Sequence, residues 1–320
     1  MLNEDTHLVR DVKPGKTKQF DLHIAKLPTG TVINIHVFVY RGKKPGPVLL
    51  LTGGLHGDEV NGVEIIRRLM KNNLLMPDAG TVIAIPILNI YGFLNFARDL
   101  PDGKDANRSF PGTKNGSLAS RMAYNIQKHI LPIIDYGLDF HTGGSNRSNY
   151  PQIRCDFTDE TSLQLAYQFA PPFIINSPLI PASLRNEAKQ QGKPIIVYEA
   201  GQSLRFDTHA IEEGIKGTLR LMKALKMTPR AIVSPQHEEV LQLHKTSWLR
   251  AEEAGLFNAE VIEGAYVENG QLLGTLSDPY VEKEVAIYAN QNAFVIGLNH
   301  APIVNAGDAL VHLGSTDAKK

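Results

Sequence analysis

The feature that most constrains the fold is a short apolar run that ends in glycine and is followed by chemically active side chains. Residues 47–52 show no polar alternation, which is typical of a strand buried on both faces. Gly53 and Gly54 end the run, and the loop that follows carries His56. Residues 60–70 then show apolar side chains at helix-like spacing. Strand, loop and helix therefore follow one another as in an α/β protein.

The same alternation continues along the chain. It predicts strands at 81–88, 137–140 and 195–198, helices at 118–130, 162–169 and 207–225, and an early edge hairpin from 19–24 and 31–40. Such an order predicts a largely parallel or mixed sheet covered on both faces, which places ligands beyond the carboxyl ends of its strands. His56, His141 and Glu199 each follow a predicted strand. We therefore expect these three side chains at one rim of the sheet.

The length of the chain and a change in its residue pattern indicate two domains. At 320 residues the chain exceeds the usual size of a single core. From residue 232 onward, short alternating strands are separated by turn signals such as Asp278-Pro279. We predict an α/β catalytic domain at 1–228 and a small all-β domain at 229–320.

Charge and hydropathy narrow the class of partner. Lys plus Arg and Asp plus Glu are equal at 33 each, and no long run of one sign occurs, so the sequence predicts no binding of nucleic acid or of an acidic membrane surface. No apolar stretch approaches the roughly 18 residues of a membrane span. The polar start lacks the architecture of a secretory signal. We expect a cytoplasmic protein whose partner is a small molecule.

Two histidines and one glutamate suggest a catalytic metal site. His56 and Glu59 are one helical turn apart at a loop-to-helix junction, and His141 can complete a set of three ligands. Catalytic zinc usually takes three ligands of these types and keeps a position for water, whereas structural zinc favours Cys-rich cages, which the single Cys155 excludes. The alternative is that His56 caps a helix and His141 is a core residue. Of the nearby carboxylates, we expect Asp139 rather than Asp58 to hold a histidine ring in place.

Glu199 is the candidate general base. It follows the apolar strand 195–198, and apolar surroundings raise the pKa of a glutamate toward the range that general acid–base catalysis needs. The alternative is a buried structural glutamate paired to an arginine.

A long segment between the two histidine motifs carries Arg98 and Arg108. Arginine forks bind carboxylates at two points, and a cation near a metal can stabilise the oxyanion formed when water attacks an amide carbon. Arginines in surface loops are also common, so the alternative is two solvated side chains.

Four motifs in the same order resemble a known family. They are Gly-Gly-x-His-Gly-Asp-Glu-x-Asn-Gly from residue 53, Asp-x-Asn-Arg-x-Phe-Pro-Gly from 105, Asp-Phe-His-Thr-Gly-Gly from 139 and Tyr-Glu-Ala-Gly from 198. Together they resemble the succinylglutamate desuccinylase and aspartoacylase family, whose members are relatives of the zinc carboxypeptidases. The resemblance covers about residues 47–225. Four co-linear motifs are far more specific than any one of them.

The resemblance implies a mixed-sheet, zinc-carboxypeptidase-like catalytic domain that binds one zinc ion per chain. It implies the zinc ligands His56, Glu59 and His141. The implied function is the removal of an acyl group from an N-acyl amino acid or a related small carboxylate. The alternative is a carboxypeptidase-like metallopeptidase that acts on short peptides.

The resemblance also implies roles for four further residues. Glu199 is the general base that then protonates the leaving amine. Asn107 and Arg108 hold the substrate carboxylate, and Arg98 polarises the scissile carbonyl. Arg147 and Arg154 are candidates for recognising the acyl end or the side-chain end of the substrate, with solvated surface arginines as the alternative.

The C-terminal region resembles the lipoyl- or biotinyl-like barrel of the family. A carrier domain needs a modifiable lysine, usually beside methionine, and no Met-Lys pair occurs after Met227. We therefore expect a lid or a homo-oligomerisation module. The family brings a tyrosine or similar group from this domain over the site, and Tyr266, Tyr280 and Tyr288 remain the alternatives.

Overall fold

The computed structural model describes residues 7–228, 239–280 and 282–316. The polar start, at residues 1–6, lies outside these ranges, and so do residues 229–238, where the domain boundary is expected. In the described residues the helices are α1 (Val60–Lys71), α2 (Ile90–Asn95), α3 (Leu118–His129), α4 (Glu160–Phe169), α5 (Leu184–Gln190) and α6 (Thr208–Ala224). Two short 3-10 helices lie at Ala106–Arg108 and Leu131–Ile133.

The strands divide into a group before residue 228 and a group after residue 239. The first group is β1 (Lys16–Lys26), β2 (Val32–Arg41), β3 (Lys44–Thr52), β4 (Ala79–Ile85), β5 (Tyr136–Gly143), β6 (Arg147–Cys155), β7 (Phe173–Asn176) and β8 (Ile195–Gln202). The second group is β9 (Leu241–Leu243), β10 (Lys245–Arg250), β11 (Gly255–Ala259), β12 (Tyr266–Val267), β13 (Leu272–Ser277), β14 (Glu284–Tyr288), β15 (Ala293–Asn299), β16 (Ile303–Val304) and β17 (Ala309–Ser315).

The centre of the fold is a mixed sheet. Its strand order is β1-β2-β4-β3-β5-β8-β6-β15-β17-β10. Strands β4, β3, β5 and β8 are parallel to one another, whereas β2 and β6 run antiparallel on either side of them. The predicted mixed α/β sheet is therefore confirmed.

The apolar run at residues 47–52 lies in β3, which faces a hydrophobic core on each side of the sheet. Side chains along a strand alternate between faces. Leu50 joins the core that contains helix α3, whereas Leu49 and Leu51 join the core formed with α1 and α6. All three are at most 1% exposed. A strand that faces a core on both sides has no reason to alternate with polar residues.

The predicted elements before residue 228 are present, with some differences in their ends. The edge hairpin is β1 with β2, which pair antiparallel. Strands β5 and β8 are longer than predicted, so His141 and Glu199 lie inside the last part of their strands instead of after them. Strands β6 and β7 and helices α2 and α5 were not predicted.

The chain after residue 239 is all-β in its described part, as expected. Strands β14, β13, β11 and β16 form a separate four-stranded sheet. In contrast, β15 pairs antiparallel with β6, and β17 and β10 follow it, so the main sheet continues into the C-terminal region. The sequence gives no local signal for this continuity.

None of the helices in the described residues is both long and apolar enough to cross a membrane.

Candidate functional site

Three side chains predicted to bind a metal meet at the carboxyl ends of β3 and β5. His56 lies on the loop after β3, Glu59 immediately precedes α1, and His141 lies on β5. One ligand atom from each residue lies within 4.8 Å of the other two. All three are at most 5% exposed. The structure thus brings together residues that are more than 80 positions apart in sequence.

Glycines in the first motif allow this approach. A Cβ atom at Gly57 would lie 1.9 Å from the carbonyl carbon of Gly92, so only glycine fits where the loop passes α2. A Cβ atom at Gly62 would lie 2.5 Å from the Cβ of Phe140. Gly62 therefore lets α1 pack closely on β5, which brings Glu59 to His141.

Carboxylates orient both histidine rings. Nδ1 of each ring faces Glu59 at 2.8 Å, to Oε1 from His56 and to Oε2 from His141. The outer nitrogen, Nε2, lies 3.2 Å from Asp105 in His56 and 2.8 Å from Asp139 in His141. Because an ionised carboxylate only accepts, a ring that binds a metal through Nδ1 keeps its proton on Nε2 and donates it to Asp105 or Asp139. The Nδ1 lone pairs are then directed at the centre of the cluster, as metal ligation requires.

The electrostatics of the cluster favour a bound cation. Burial alone raises the pKa of Glu59, but His56 and His141 lower it well below its ordinary value. Burial alone lowers the pKa of His141, yet Asp139 and Glu59 raise it well above its usual range. Buried carboxylates of this kind need positive charge beside them. A divalent ion would supply that charge at the Nδ1 atoms, so the donor set fits a metal with two imidazoles and one carboxylate.

A cavity of about 400 Å³ opens onto the cluster. Seven of the site residues predicted from the sequence line it: His56, Glu59, Arg98, Asn107, Arg108, His141 and Glu199. Large pockets with convergent polar groups are the usual location of active sites.

Arg98 lies against the candidate metal ligands. Its Nη1 is 3.2 Å from Nδ1 of His56 and 3.5 Å from Oε1 of Glu59. Its Nε and Nη2 donate to Oδ2 of Asp105, the carboxylate that also holds His56. Burial lowers the pKa of Arg98, but Asp105 and Glu59 more than offset this, so the net shift is upward. A fixed positive charge therefore lies beside the cluster.

Asn107 and Arg108 lie on the 3-10 helix between α2 and α3. The Asn107 side-chain oxygen accepts a hydrogen bond from the Leu184 backbone at 2.9 Å, which fixes the amide. The Arg108 side chain is 44% exposed, and its closest carboxylate contact among the described residues is Asp105 at 4.0 Å. Arg108 therefore keeps most of its hydrogen-bonding capacity for a ligand in the cavity.

Glu199 lies directly beside the cluster of candidate metal ligands, because it is paired in register with His141 on the neighbouring parallel strand. Its surroundings differ from the apolar pocket expected from the sequence. Asn149 donates to Oε2 at 2.6 Å, and Nε of Arg154 lies 3.7 Å from Oε1. Strand β6, which was not predicted, contributes both partners. The arginine partner expected for a structural glutamate is thus present, but in the cavity that contains the cluster.

Several residues of the cavity were missed or misjudged from the sequence. Asp105 is in the second motif but 49 positions from His56, so the closeness in sequence that singled out Asp139 does not indicate it. Arg147 and Arg154 line the cavity, although solvated surface positions were the alternative favoured. Trp248 and His312 also line it, and no motif indicates them.

None of the three candidate tyrosines lines the cavity. Tyr266, Tyr280 and Tyr288 are each more than half exposed. The C-terminal region instead contributes Trp248 and His312, whose rings stack with 4.4 Å between centroids and 8° between planes.

Comparisons with known proteins match the part of the chain that carries the cluster and Glu199 to a known family. Residues 45–225 match the model of the succinylglutamate desuccinylase/aspartoacylase catalytic domain. The chain is 27% identical over 259 residues to an N-alpha-acetyl-L-2,4-diaminobutyric acid deacetylase from Halomonas elongata, covering 78% of this chain and 75% of that protein.

Solved structures share the whole fold. The product-bound ectoine utilization protein EutE from Ruegeria pomeroyi superimposes with a TM-score of 0.83 at 22% identity, covering 95% of this chain and 96% of that one. An aspartoacylase family protein from Mesorhizobium loti gives a TM-score of 0.82 at 24% identity, covering 98% of both chains. The similarity extends well beyond residue 225, so these proteins share the C-terminal strands.

Proposed function

The chain belongs to the succinylglutamate desuccinylase/aspartoacylase family, and from this premise we propose that it is a zinc-dependent amidohydrolase that removes the acyl group from an N-acyl amino acid or a related small carboxylate. The observation that carries the proposal is the buried cluster of His56, Glu59 and His141 beside Glu199 in one cavity. The deacetylase from Halomonas elongata supports the same reaction type.

His56, Glu59 and His141 would hold one zinc ion through two Nδ1 atoms and a carboxylate. When bound, such an ion polarises a carbonyl and lowers the pKa of water. Asp105 and Asp139 keep the two rings oriented for it. Imidazole and carboxylate ligands suit zinc well, and the described residues near the cluster offer no thiolate.

Glu199 would move the proton. Its carboxylate takes a proton from the attacking water and passes it to the leaving nitrogen, so one bond to carbon forms as the amide bond breaks. The hydrogen bond from Asn149 fixes Oε2, and Nε of Arg154 lies 3.7 Å from Oε1. Glu199 and His141 lie side by side on adjacent parallel strands, so the base stays next to the ligand cluster during the reaction.

The cations in the cavity would bind the substrate. Arg98 is close enough to the cluster to stabilise negative charge on the carbonyl oxygen of the scissile amide. Asn107 and Arg108 would hold the carboxylate of the amino acid half, for which the partly exposed guanidinium of Arg108 is suited. The product would be a free amine and a carboxylate.

We assign residues 1–228 to the catalytic domain and residues 229–320 to a smaller domain of the lipoyl- or biotinyl-like barrel type. The separate four-stranded sheet supports such a unit. Strands β10 and β17 of the C-terminal region contribute Trp248 and His312 to the lining of the cavity. This supports a lid that restricts the cavity to small solutes, and we place the protein in the cytoplasm. The same domain offers a surface for a homo-oligomer.

A substrate screen tests the function. We expect zinc-loaded protein to hydrolyse acetyl, succinyl or formyl derivatives of amino acids, measured as release of free amine, and to leave dipeptides intact. Trp248 and His312 from the C-terminal strands line the same cavity as the cluster, which supports a small substrate. Turnover of dipeptides without turnover of any acyl amino acid would instead identify a carboxypeptidase-like peptidase.

A further inference from the structure

The hydrogen bond that holds the proposed general base depends on the orientation of one amide. Nδ2 of Asn149 donates to Oε2 of Glu199 at 2.6 Å. An ionised carboxylate only accepts hydrogen bonds, whereas an asparagine amide has a donor on one side and an acceptor on the other. A rotated amide would place Oδ1 against Oε2, where the two oxygens repel. The base is therefore held only while the Asn149 amide keeps the orientation seen in the structure.

Asn149 reaches Glu199 across an irregularity in β6. In the pairing of β6 with β8, Asn149 is opposite Gly201. Gln152 is opposite Glu199, so β6 has two residues between these pairs where β8 has one. An extra residue of this kind forms a bulge, which redirects side chains and often lies next to active sites. The contact from Asn149 to Glu199 is therefore diagonal, and the regular pairing of the two strands does not fix it.

The C-terminal strand β15 lies on the other side of β6 and presents a glycine to this amide. Gly297 is opposite Asn149 in register. A Cβ atom at Gly297 would lie 2.9 Å from Oδ1 of Asn149, closer than real Cβ atoms approach another heavy atom. Gly297 does not have a positive φ, so space rather than backbone conformation requires glycine here. The Oδ1 side of the amide therefore lies over Gly297 while the Nδ2 side faces Glu199.

The position of Gly297 is fixed by a second contact between β15 and β6. Nε2 of Gln152 donates to the carbonyl of Ile296 at 3.3 Å, and Gln152 is completely buried. The register of β15 with β17 shifts between Val295 and Gly297, so Ile296 lies at a bulge. The residue that precedes Gly297 is thus held by the same strand that carries Asn149.

Two aromatic rings continue the row beyond the glycine. His312 of β17 is opposite Gly297, and Trp248 of β10 is opposite His312. These stacked rings form the C-terminal wall of the cavity. A Cβ atom at Gly297 would lie 3.4 Å from Cβ of His312. Gly297 is therefore the gap between the Asn149 amide and this wall, and a side chain there would displace the amide.

We propose that β15 positions the general base: Gly297 holds the Asn149 amide with Nδ2 toward Glu199, so that the C-terminal region takes part in proton transfer as well as lining the cavity. This rests on the proposed deacylase function. Asn149 and Gly297 are positioning residues, because they act through Glu199. The proton still moves from the attacking water to Glu199 and from there to the leaving nitrogen.

A double-mutant cycle on the two positioning residues tests the proposal. Asn149→Ala removes the donor and should lower kcat about 10- to 100-fold, since a catalytic group misplaced by about 1 Å can cost about 10²-fold. Gly297→Ala displaces the amide and should lower kcat in the same range. KM and zinc content should stay close to the wild-type values in both variants, because neither residue belongs to the ligand cluster. Release of free amine from the best acyl amino acid measures the rates.

The double variant separates positioning from a general loss of structure. Once residue 149 is alanine, Gly297→Ala has no amide to displace. The double variant should therefore have the kcat of Asn149→Ala alone, as expected for two residues that act through one contact. Two independent effects would instead multiply, and the double variant would then be slower than either single variant.

Gly255→Ala is the matched control. A Cβ atom at Gly255 would lie 2.7 Å from the carbonyl oxygen of Ser277, and one at Gly297 would lie 2.9 Å from that of Ser148. Both changes thus press a methyl group against a neighbouring strand, but Gly255 lies on β11 in the separate four-stranded sheet. Its kcat should equal that of the wild type. Thermal unfolding compares the stability of the two glycine variants.

The possible outcomes distinguish the positioning role from the function on which it rests. A Gly297→Ala variant with kcat within about twofold of the wild type, or effects that multiply in the double variant, overturns the positioning role alone. If Gly297→Ala does not fold, Asn149→Ala decides, because it adds no bulk: a loss of about 10- to 100-fold supports the proposal, and wild-type kcat overturns it. Absence of hydrolysis by the wild type for every acyl amino acid overturns the deacylase function itself.

Discussion

Replacement of Glu199 by glutamine should lower kcat by about 10²- to 10⁴-fold, the range that general acid–base catalysis contributes. Glutamine has the same shape and can still accept the hydrogen bond from Asn149. It cannot take a proton from water. Because Glu199 is outside the ligand cluster, the zinc content of the variant should equal that of the wild type. Initial rates with the best acyl amino acid, together with metal analysis, measure both quantities.

Glu284→Gln is the matched control for this variant. Glu284 is an exposed residue on β14, so the same chemical change there should leave both kcat and zinc unchanged. A Glu199→Gln variant with kcat within about twofold of the wild type would contradict the proposed base, since proton transfer would then have another route. Loss of zinc in that variant would show that Glu199 binds the metal.

Replacement of His141 by alanine should remove both zinc and activity. The ring supplies one of the three ligand atoms, and alanine offers no atom that can bind a metal. Asp139→Asn should weaken zinc binding about 10- to 100-fold while the ring remains, because Asp139 only orients His141. Competition with a chelator measures the dissociation constant, and metal analysis measures the stoichiometry.

A second histidine–aspartate pair provides the control. His36 and Asp21 lie 2.7 Å apart on the exposed face of the β1–β2 hairpin. His36→Ala and Asp21→Asn should therefore leave zinc affinity and kcat at wild-type values. If Asp139→Asn binds zinc as tightly as the wild type, the orienting role of Asp139 is wrong. If His141→Ala retains one zinc ion, the ligand set is wrong.

The cluster of His56, Glu59 and His141 could be predicted from the sequence because its signals are local. His56 and Glu59 are one turn apart, and the glycines at 57 and 62 that permit their approach stand in the same motif. His141 follows an apolar strand that is recognisable by itself. Parallel strands present their carboxyl ends at one edge, so separate local signals were enough to place the three ligands together.

The C-terminal wall could not be predicted, because it depends on pairing between distant strands. Trp248 and His312 reach the cavity only through the register that links β6, β15, β17 and β10. Register of this kind is set by tertiary packing and leaves no motif in the sequence. The surroundings of Glu199 were misjudged for the same reason: Asn149 and Arg154 belong to β6, whose polar residues resemble a loop.

Titration of metal-stripped protein with zinc is the most direct test of the central claim that His56, Glu59 and His141 hold the metal on which hydrolysis depends. The rate of acyl amino acid hydrolysis should rise in proportion to added zinc and level off at one ion per chain, and His141→Ala should show no rise. A stripped wild-type protein that hydrolyses the substrate at the full rate would contradict the account.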